Sequence, residues 1–308
     1  MAQTGEQSTG RREDAAGANR GEASTGRGAW ESLGAQHALG AALLVHTGAV
    51  FRLDLLPGTF SPPLFSRPAH RHQIRGEETD FARDDLVDEW NTQCSSHWDS
   101  LRHVRSDEGF FGGKPGNELG AEHLAEPGLV TRAVLADVVR WREAEGRPLD
   151  PRVGQPISAS DLAGTLAAQN SRLEPGDVLL VRTGWVGWYR SAGIEARRRD
   201  ASRSQLQAPG LVATRETADW LHNQGVVAVV ADNPSVEAWP LRSGTDGTGE
   251  TLHVLAMVRH GIIFGELWNL EELAADCAGE RRWESMLVSA PLAFPGACAA
   301  PANAIAIR

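Results

Sequence analysis

The amino-acid sequence predicts an α/β fold, in which helices pack on a central β-sheet. Two unbroken apolar runs, at residues 177–182 and 226–231, are typical of strands that are covered on both faces. The second run follows a helical segment at residues 213–223, and a helix followed by a buried strand is characteristic of α/β proteins. With 308 residues, 41% of them hydrophobic, the chain can bury one substantial core.

The first residues of the chain have a different composition from the rest. Residues 1–29 consist mainly of Gly, Ser, Thr, Ala, Arg and Glu, so they bury too little apolar surface to offset the entropy of ordering. We therefore predict a disordered N-terminal tail. After Trp30, four prolines between residues 57 and 68 break the chain into short segments. Because no repeat or linker follows, residues 30–308 are predicted to form a single domain.

Further elements follow from capping and turn signals. Ser158 or Asp161 can satisfy the free amides at the start of a helix over residues 162–169. Later, residues 253–260 predict another helix, which is followed by a short strand at residues 262–264. The alternation of helices and strands supports one layered sheet.

Charge and cysteine content exclude several classes of protein. The formal charge of -10 argues against a nucleic-acid partner, because such proteins usually carry a basic face. The most apolar early stretch, residues 41–51, is too short to span a bilayer. Cys94, Cys277 and Cys298 lack the spacing of a disulfide framework or a thiolate zinc site, which favours a reducing compartment. We therefore expect a cytoplasmic protein without a membrane partner.

Residues 93–103 concentrate imidazoles and a carboxylate within a short segment. If residues 97–99 are extended, His97 and Asp99 project from one face and could converge on one ion, while Trp98 points to the other face. A mixed nitrogen and oxygen site suits zinc or manganese. His103 cannot reach the same point along a straight strand, since six residues span roughly 20 Å. Either a bend brings it back, or it remains unligated, as suits a group that transfers protons.

This segment resembles the signature H-x-G-T-H-x-D-x-P-x-H of the cyclase family that includes kynurenine formamidase and isatin hydrolase. His97, Asp99 and His103 fall on the second His, the Asp and the last His of that pattern. The resemblance implies that His97 and Asp99 bind the metal and that His103 is the catalytic acid and base. Gln93 stands where the family has its first His, and Leu101 stands where it has Pro.

The resemblance continues at His253 and Glu266. Family members carry a His that opens a helix and a Glu at the end of the next strand, and together these complete the metal site. Taken singly, either residue would be interpreted as a surface group, and His260 is a less favoured alternative ligand. The resemblance covers most of residues 45–308. It implies the swivelling β/β/α fold of kynurenine formamidase, with a mixed central β-sheet or partial barrel and surrounding helices, and a homo-oligomer, either a dimer or a tetramer.

The candidate residues of a substrate pocket each have a second interpretation. Asp232 and Glu237 follow a buried strand, where active-site groups of open sheets gather, although residues 232–234 are also typical of a turn. Four tryptophans either wall an aromatic pocket or pack in the core: Trp98, Trp185, Trp188 and Trp239. The pocket residues that we predict are Gln93, Trp98, Trp185 and Glu237.

The reaction that these residues favour is hydrolysis of an amide, lactam or lactone-type C(=O)–X bond in a small aromatic or cyclic metabolite. A divalent ion held by His97, Asp99, His253 and Glu266 would activate water, and His103 would relay the proton. One alternative is a ring-closing or dehydrating cyclase of secondary metabolism. Another is a metal-free binding protein on a degenerate enzyme fold, which is suggested by Gln93.

Overall fold

A computed structural model describes residues 26–241 and 249–308 of the chain, and its centre is a mixed β-sheet. The described strands are β1 (Val50–Arg52), β2 (Arg71–Arg75), β3 (Asp84–Asp88), β4 (His97–Asp99), β5 (Leu129–Asp137), β6 (Pro156–Ile157), β7 (Val178–Arg182), β8 (Gly210–Leu211), β9 (Ala228–Ala231), β10 (Ile263–Glu266), β11 (Glu284–Ser289), β12 (Ala299–Pro301) and β13 (Ala304–Ile307).

Helices surround this sheet. The α-helices are α1 (Ala35–Ala42), α2 (Glu122–Ala125), α3 (Val138–Ala144), α4 (Ala159–Ala168), α5 (Trp185–Ser191), α6 (Ile194–Ala201), α7 (Arg215–Asn223) and α8 (Glu271–Glu280). The chain also forms a π-helix at His253–Val258 and short 3-10 helices at Gly28–Ser32, Leu64–Ser66, Phe111–Gly113 and Gly116–Glu118. Among the described residues, no helix combines the length and the apolar character needed to cross a membrane.

The large sheet has nine described strands in the order β1-β13-β11-β5-β7-β9-β10-β4-β12. The central strands β5, β7, β9 and β10 run parallel, and antiparallel strands flank them on both sides. The sheet curls into a half-barrel, so the predicted mixed sheet or partial barrel with surrounding helices is confirmed. Since β10 is parallel to β9 and antiparallel to β4, the carboxyl end of β10 lies beside the start of β4.

The two apolar runs form the adjacent parallel strands β7 and β9, and their apolar side chains are fully buried. The helix predicted before β9 is α7, and the helix predicted near Ser158 is α4. Ser158 caps α4, because its hydroxyl accepts a hydrogen bond from the Asp161 N–H at 3.1 Å. Local capping and apolar periodicity therefore define these elements.

The start of the fold differs from the predicted domain boundary. Residues 1–25 of the predicted tail lie outside the described residues. Residues 26–29, which the prediction also assigned to the tail, contact the body: Gly28 begins a 3-10 helix, and the Ala29 N–H donates to the Gly261 carbonyl at 2.9 Å. Trp30 is buried against Trp98. The fold therefore begins before residue 30.

Asp232 connects the carboxyl ends of β7 and β9. Its Oδ1 accepts hydrogen bonds from the Thr183 N–H (2.5 Å) and hydroxyl (2.8 Å), and its Oδ2 accepts from the Gly184 N–H (2.9 Å). Complete burial nevertheless raises the pKa of Asp232 from its ordinary value of 3.8 to about 6, because these hydrogen bonds only partly offset the loss of solvation.

This raised pKa predicts a pH-dependent contribution to stability. The contribution is full below about 3.8 and is lost as the pH rises through about 6, since the folded state then holds an ionised buried carboxylate. The stability of the wild type relative to Asp232→Asn should therefore fall by roughly 1 kcal/mol between pH 5 and pH 7. Urea unfolding of both proteins at the two pH values measures this change, and a difference independent of pH would contradict it.

Candidate metal centre

Strand β4 places two candidate ligands on the same face of the sheet. His97 pairs with Glu266 across β4 and β10, and side chains directly opposite each other lie on one face. The His97 Nε2 atom lies 3.3 Å from Glu266 Oε2 and 3.5 Å from Asp99 Oδ1. The His97 Nδ1–H donates to the Ser95 carbonyl at 2.7 Å, which leaves Nε2 free to face the carboxylates. The short strand thus brings three charged groups together in a buried position.

His103 returns to this cluster because the chain turns directly after β4. The His103 N–H donates to the Ser100 carbonyl at 2.8 Å, and this turn brings His103 Nδ1 to 3.8 Å from Asp99 Oδ1. Of the two alternatives that the sequence left open, the structure shows the bend. The His103 side chain is 27% exposed, whereas those of His97 and Asp99 are fully buried. His103 is therefore the most exposed of these three side chains.

His253 opens the π-helix and completes the cluster from the other side. Its Nε2 lies 3.2 Å from Glu266 Oε1 and 3.8 Å from Asp99 Oδ2. Its Nδ1–H donates to Glu237 Oε1 at 2.5 Å, and the backbone N–H groups of His253 and Leu252 also donate to the Glu237 carboxylate. Glu237 therefore fixes the ring of His253 so that Nε2 faces the other candidate ligands.

The donor atoms of this cluster fit a divalent cation. One ligand atom from each of His97, Asp99 and Glu266 lies within 4.8 Å of the others, and the same holds for Asp99, His103 and His253. Among the described residues, His97 Nε2 and Asp99 Oδ2 have no hydrogen-bond partner although both are fully buried. Buried polar atoms without partners are costly, and a bound cation would satisfy both. Imidazole nitrogen and carboxylate oxygen are ligands that suit zinc or manganese.

The charges of the cluster depend strongly on one another. Burial alone would lower the pKa of His97, but Asp99 and Glu266 outweigh it and raise that pKa to about 9. In the same way, the carboxylates of Glu237 and Glu266 overcome burial and raise the pKa of His253. The pKa of Asp99 and that of Glu266 are lowered despite burial, because the neighbouring histidines favour their charged forms. The carboxylates are therefore ionised and available to a cation.

Gln93 connects two members of the cluster. Its Nε2 donates to Asp99 Oδ1 at 3.2 Å and lies 3.2 Å from His103 Nδ1. Since the amide nitrogen faces a carboxylate, the orientation of the amide is fixed and its oxygen points away from Asp99. Where the resemblance led us to expect an imidazole, this chain therefore has a group that orients both Asp99 and His103.

A cavity of about 500 Å³ opens beside the cluster. Four of the candidate residues line it: Gln93, His103, His253 and Glu266. The other lining residues are mostly apolar or basic: Phe65, Arg67, Val104, Arg203, Pro234, Ser235, Trp239, Leu241 and Thr251. The candidate ligands thus face a space large enough for a small organic molecule.

Two of the predicted pocket tryptophans lie elsewhere. Trp98 projects from the opposite face of β4, is fully buried and packs edge-on against Trp30 and Trp268, at centroid distances of 5.2 and 4.7 Å. Trp185 is also fully buried and stacks on Tyr189 at 5.2 Å. Neither residue lines the cavity, which corrects the prediction for both. The strand alternation that aligns His97 with Asp99 is what directs Trp98 into the core.

Glu237 and the residues around it also differ from the prediction. Glu237 is 1% exposed and contacts His253 rather than lining the cavity. Trp239, two residues later, does line it. The sequence analysis missed Phe65, Arg67 and Arg203, because they lie in segments without periodicity and because isolated arginines are common in this chain.

Comparison with known proteins finds a similar family. The model of the Cyclase family matches residues 87–238, which include β4 and the central strands β5, β7 and β9. A solved structure described as a novel cyclase is 29% identical, with a TM-score of 0.78, over 92% of this chain and 96% of its own. Over residues 87–238 the chain is similar to the cyclase family. Among the curated proteins, none matches this chain significantly.

More distant solved structures share the fold of this chain. Isatin hydrolase A from Labrenzia aggregata is 14% identical, with a TM-score of 0.62, over 84% of this chain and 93% of its own. A structure described as a potential metal-dependent hydrolase with cyclase activity is 15% identical, with a TM-score of 0.50, over 84% of this chain and 98% of its own. These matches are to proteins described as cyclases or hydrolases, and at this level of identity the distant ones show a shared fold.

Proposed function

We propose that the protein is a metal-dependent hydrolase that cleaves an amide, lactam or lactone-type C(=O)–X bond in a small aromatic or cyclic metabolite. One observation carries this proposal: two histidines and two carboxylates from distant parts of the chain converge at the wall of a cavity. Its relatives by fold include isatin hydrolase A and a metal-dependent hydrolase with cyclase activity, which supports the same reaction class.

The proposed ligands of the divalent ion, zinc or manganese, are His97, Asp99, His253 and Glu266. When bound, such an ion lowers the pKa of water and polarises a carbonyl group. The burial of these ligands supports the assignment, because water is kept from their remaining donor atoms and electrostatic interactions are strong in such surroundings. The carboxylates of Asp99 and Glu266 supply the negative charge that a cation requires.

His103 is the proposed general acid and base. Its Nδ1 faces Asp99, and the ring lines the cavity where a substrate would lie. We assign to the His103 imidazole the acceptance of a proton from the attacking water and its transfer to the leaving nitrogen or oxygen. Gln93 holds this ring in place through its amide nitrogen, and Trp239 and Phe65 provide an apolar wall for a ring-containing substrate.

The second candidate function is a ring-closing or dehydrating cyclase that uses the same residues. The family name and the relative described as a metal-dependent hydrolase with cyclase activity favour it. In that reaction His103 would remove a proton from carbon or oxygen rather than from water. Product analysis distinguishes the two functions, because hydrolysis incorporates one oxygen atom from labelled water and cyclisation does not.

Metal analysis together with an activity screen tests the proposal. We expect purified protein to contain zinc or manganese, and we expect metal-replete protein to hydrolyse a member of a panel of formanilides, isatin-like lactams and lactones. Chelation should abolish turnover, and returning the ion should restore it. Protein without bound metal, and without uptake on titration, would instead support a metal-free binding protein.

Two further proposals concern the state of the protein in the cell. We propose a homo-oligomer, because strands β2 and β3 pair only with each other among the described strands, and because these strands and the segment between them expose Ile74, Val87 and Phe81. A solution mass of 33.1 kDa by light scattering would contradict it. We also propose a cytoplasmic location, since all three cysteines are unpaired, and fractionation of the source cells tests this.

A further inference from the structure

We propose that the cavity contains an anion-binding subsite, formed by Arg67 and Arg203, that takes a carboxylate carried by the substrate. This inference rests on the proposed function, since it concerns the cavity beside the candidate metal ligands. It narrows the substrate class to amides, lactams or lactones that have an aromatic or cyclic body and a separate acidic group.

The two guanidinium groups lie against two aromatic rings that contact each other. The Arg67 guanidinium lies 4.9 Å from the centre of the Phe65 ring, and the Arg203 guanidinium lies 5.3 Å from the centre of the Trp239 ring. Phe65 and Trp239 contact each other edge-on at 5.0 Å. Cation–π contacts of this kind orient both guanidinium groups, so the cavity wall presents two positive charges on one aromatic surface.

Neither guanidinium group has an acidic partner in the part of the chain that the structure describes. Four buried or half-buried arginines pair with carboxylates: Arg132 with Asp177, Arg142 with Asp161, Arg182 with Glu271 and Arg308 with Asp276. Three other half-buried arginines donate to backbone carbonyls instead: Arg102, Arg197 and Arg282. Burial lowers the pKa of Arg67 although the negative charges of Glu266 and Asp99 act in the opposite direction, and the positive charge of Arg203 adds to the lowering. An anion between the two groups would offset both effects, because it would compensate the lost solvation and the mutual repulsion.

The proposed subsite lies in the same cavity as His103 and the candidate metal ligands. The Arg67 Nη1–H donates to the Gln93 carbonyl at 2.5 Å, so this guanidinium is fixed to the segment that leads into β4. His103 and Glu266 line the same cavity. A substrate could therefore place its acidic group on the arginines, its ring against Trp239 and its scissile carbonyl near His103.

The surrounding charges favour a carboxylate over a phosphate. Glu266 lines the cavity, and Asp99 and Glu237 lie behind it in contact with the lining residue His253, so that negative charges nearby oppose an anion of high charge. Two guanidinium groups can still bind a single carboxylate, since that geometry allows paired N–H to oxygen hydrogen bonds. The subsite thus fits a monoanion attached to an apolar body.

A matched pair of substrates tests the subsite during turnover. Formanilide and its ring-carboxylated derivatives differ only in the acidic group. We expect the wild type to prefer the best carboxylated derivative by about tenfold or more in kcat/KM, and we expect Arg203→Met to remove most of this preference through KM. Arg203 is the sharper test, because Arg67 also holds the Gln93 carbonyl. Arg75→Met, on the exposed strand β2, makes the same change of charge away from the cavity and should retain the preference.

A binding measurement tests the subsite without turnover. Calorimetric titration of the metal-replete protein with benzoate and with uncharged benzamide should show tighter binding of benzoate. Arg203→Met and Arg67→Met should each weaken benzoate binding by about tenfold, while Arg75→Met should not. Thermal unfolding of each variant identifies a folding defect, and the exposed Arg203 keeps the test valid if Arg67→Met fails to fold.

The outcomes separate this inference from the proposed reaction. Equal affinity for benzoate and benzamide, or benzoate binding that is unchanged in Arg203→Met, would overturn the subsite. If benzoate binding depends on Arg203 but no carbonyl compound is hydrolysed, the subsite stands and the proposed reaction fails. Hydrolysis without any preference for carboxylated substrates would leave the reaction intact and refute the subsite.

Discussion

Replacing His103 with alanine is expected to lower kcat by about 10²–10⁴-fold while metal content stays unchanged, as is typical when a general acid or base is removed. The imidazole lines the cavity and faces Asp99 through Nδ1. The turn that positions it depends on its backbone N–H, which donates to the Ser100 carbonyl, so truncation of the side chain spares the turn. Steady-state kinetics and elemental analysis of the same preparation measure the two quantities.

A second histidine provides the matched control for this substitution. His260 is the residue that the sequence analysis gave as an alternative ligand. Its Nε2 lies 3.1 Å from Asp219 Oδ1, and its ring stacks on that of His222. His260 does not line the cavity. His260→Ala should therefore retain turnover. If His103→Ala keeps more than a tenth of wild-type turnover, His103 is not the general acid and base. If the variant also loses its metal, His103 is a ligand instead.

The central strands could be predicted from the sequence because burial on both faces requires unbroken apolar runs. Strands β7 and β9 meet this requirement, and both were predicted within a few residues. The flanking strand β11 could not be recognised so readily, since its residues alternate between buried and half-buried positions in a segment with few turn signals. The strand order was also beyond the sequence, because pairing of β13 with both β1 and β11 depends on contacts between distant segments.

The geometry of the candidate centre was predictable only in part. Strand alternation predicted that His97 and Asp99 share a face, and the structure shows this arrangement. That Glu266 lies opposite His97 depends on the register between β10 and β4, which local sequence does not determine. Alternation also implied that Trp98 faces away, so its assignment to the pocket conflicted with the argument that placed the two candidate ligands.

The contact between Glu237 and His253 could not be predicted from the resemblance between short motifs. Glu237 follows β9 in the chain but contacts His253, which opens the π-helix. Asn233 stabilises the intervening segment, since its buried side-chain amide donates to the Pro209 carbonyl at 2.7 Å. A carboxylate that holds a ligand ring in one orientation is part of the metal centre without binding the metal, and no spacing rule reveals it.

Substitution of Glu237 with glutamine is therefore expected to lower the affinity for the metal by about 10–100-fold, as is typical when the hydrogen-bond partner of a ligating histidine is lost. The carboxylate accepts hydrogen bonds from the Nδ1–H of His253 and from two backbone N–H groups. A glutamine amide would direct N–H groups at one of these donors, so the ring would lose the orientation in which Nε2 faces Glu266.

Competition with a chromophoric chelator measures the affinity of the wild type and of Glu237→Gln. Glu280→Gln provides the control, because it makes the same change at an exposed residue that ends α8. Since Glu237 does not line the cavity, saturating metal should restore most of the turnover of Glu237→Gln. Unchanged affinity would show that His253 is not a ligand. Turnover that excess metal cannot restore would show that Glu237 acts on the substrate, as the sequence first suggested.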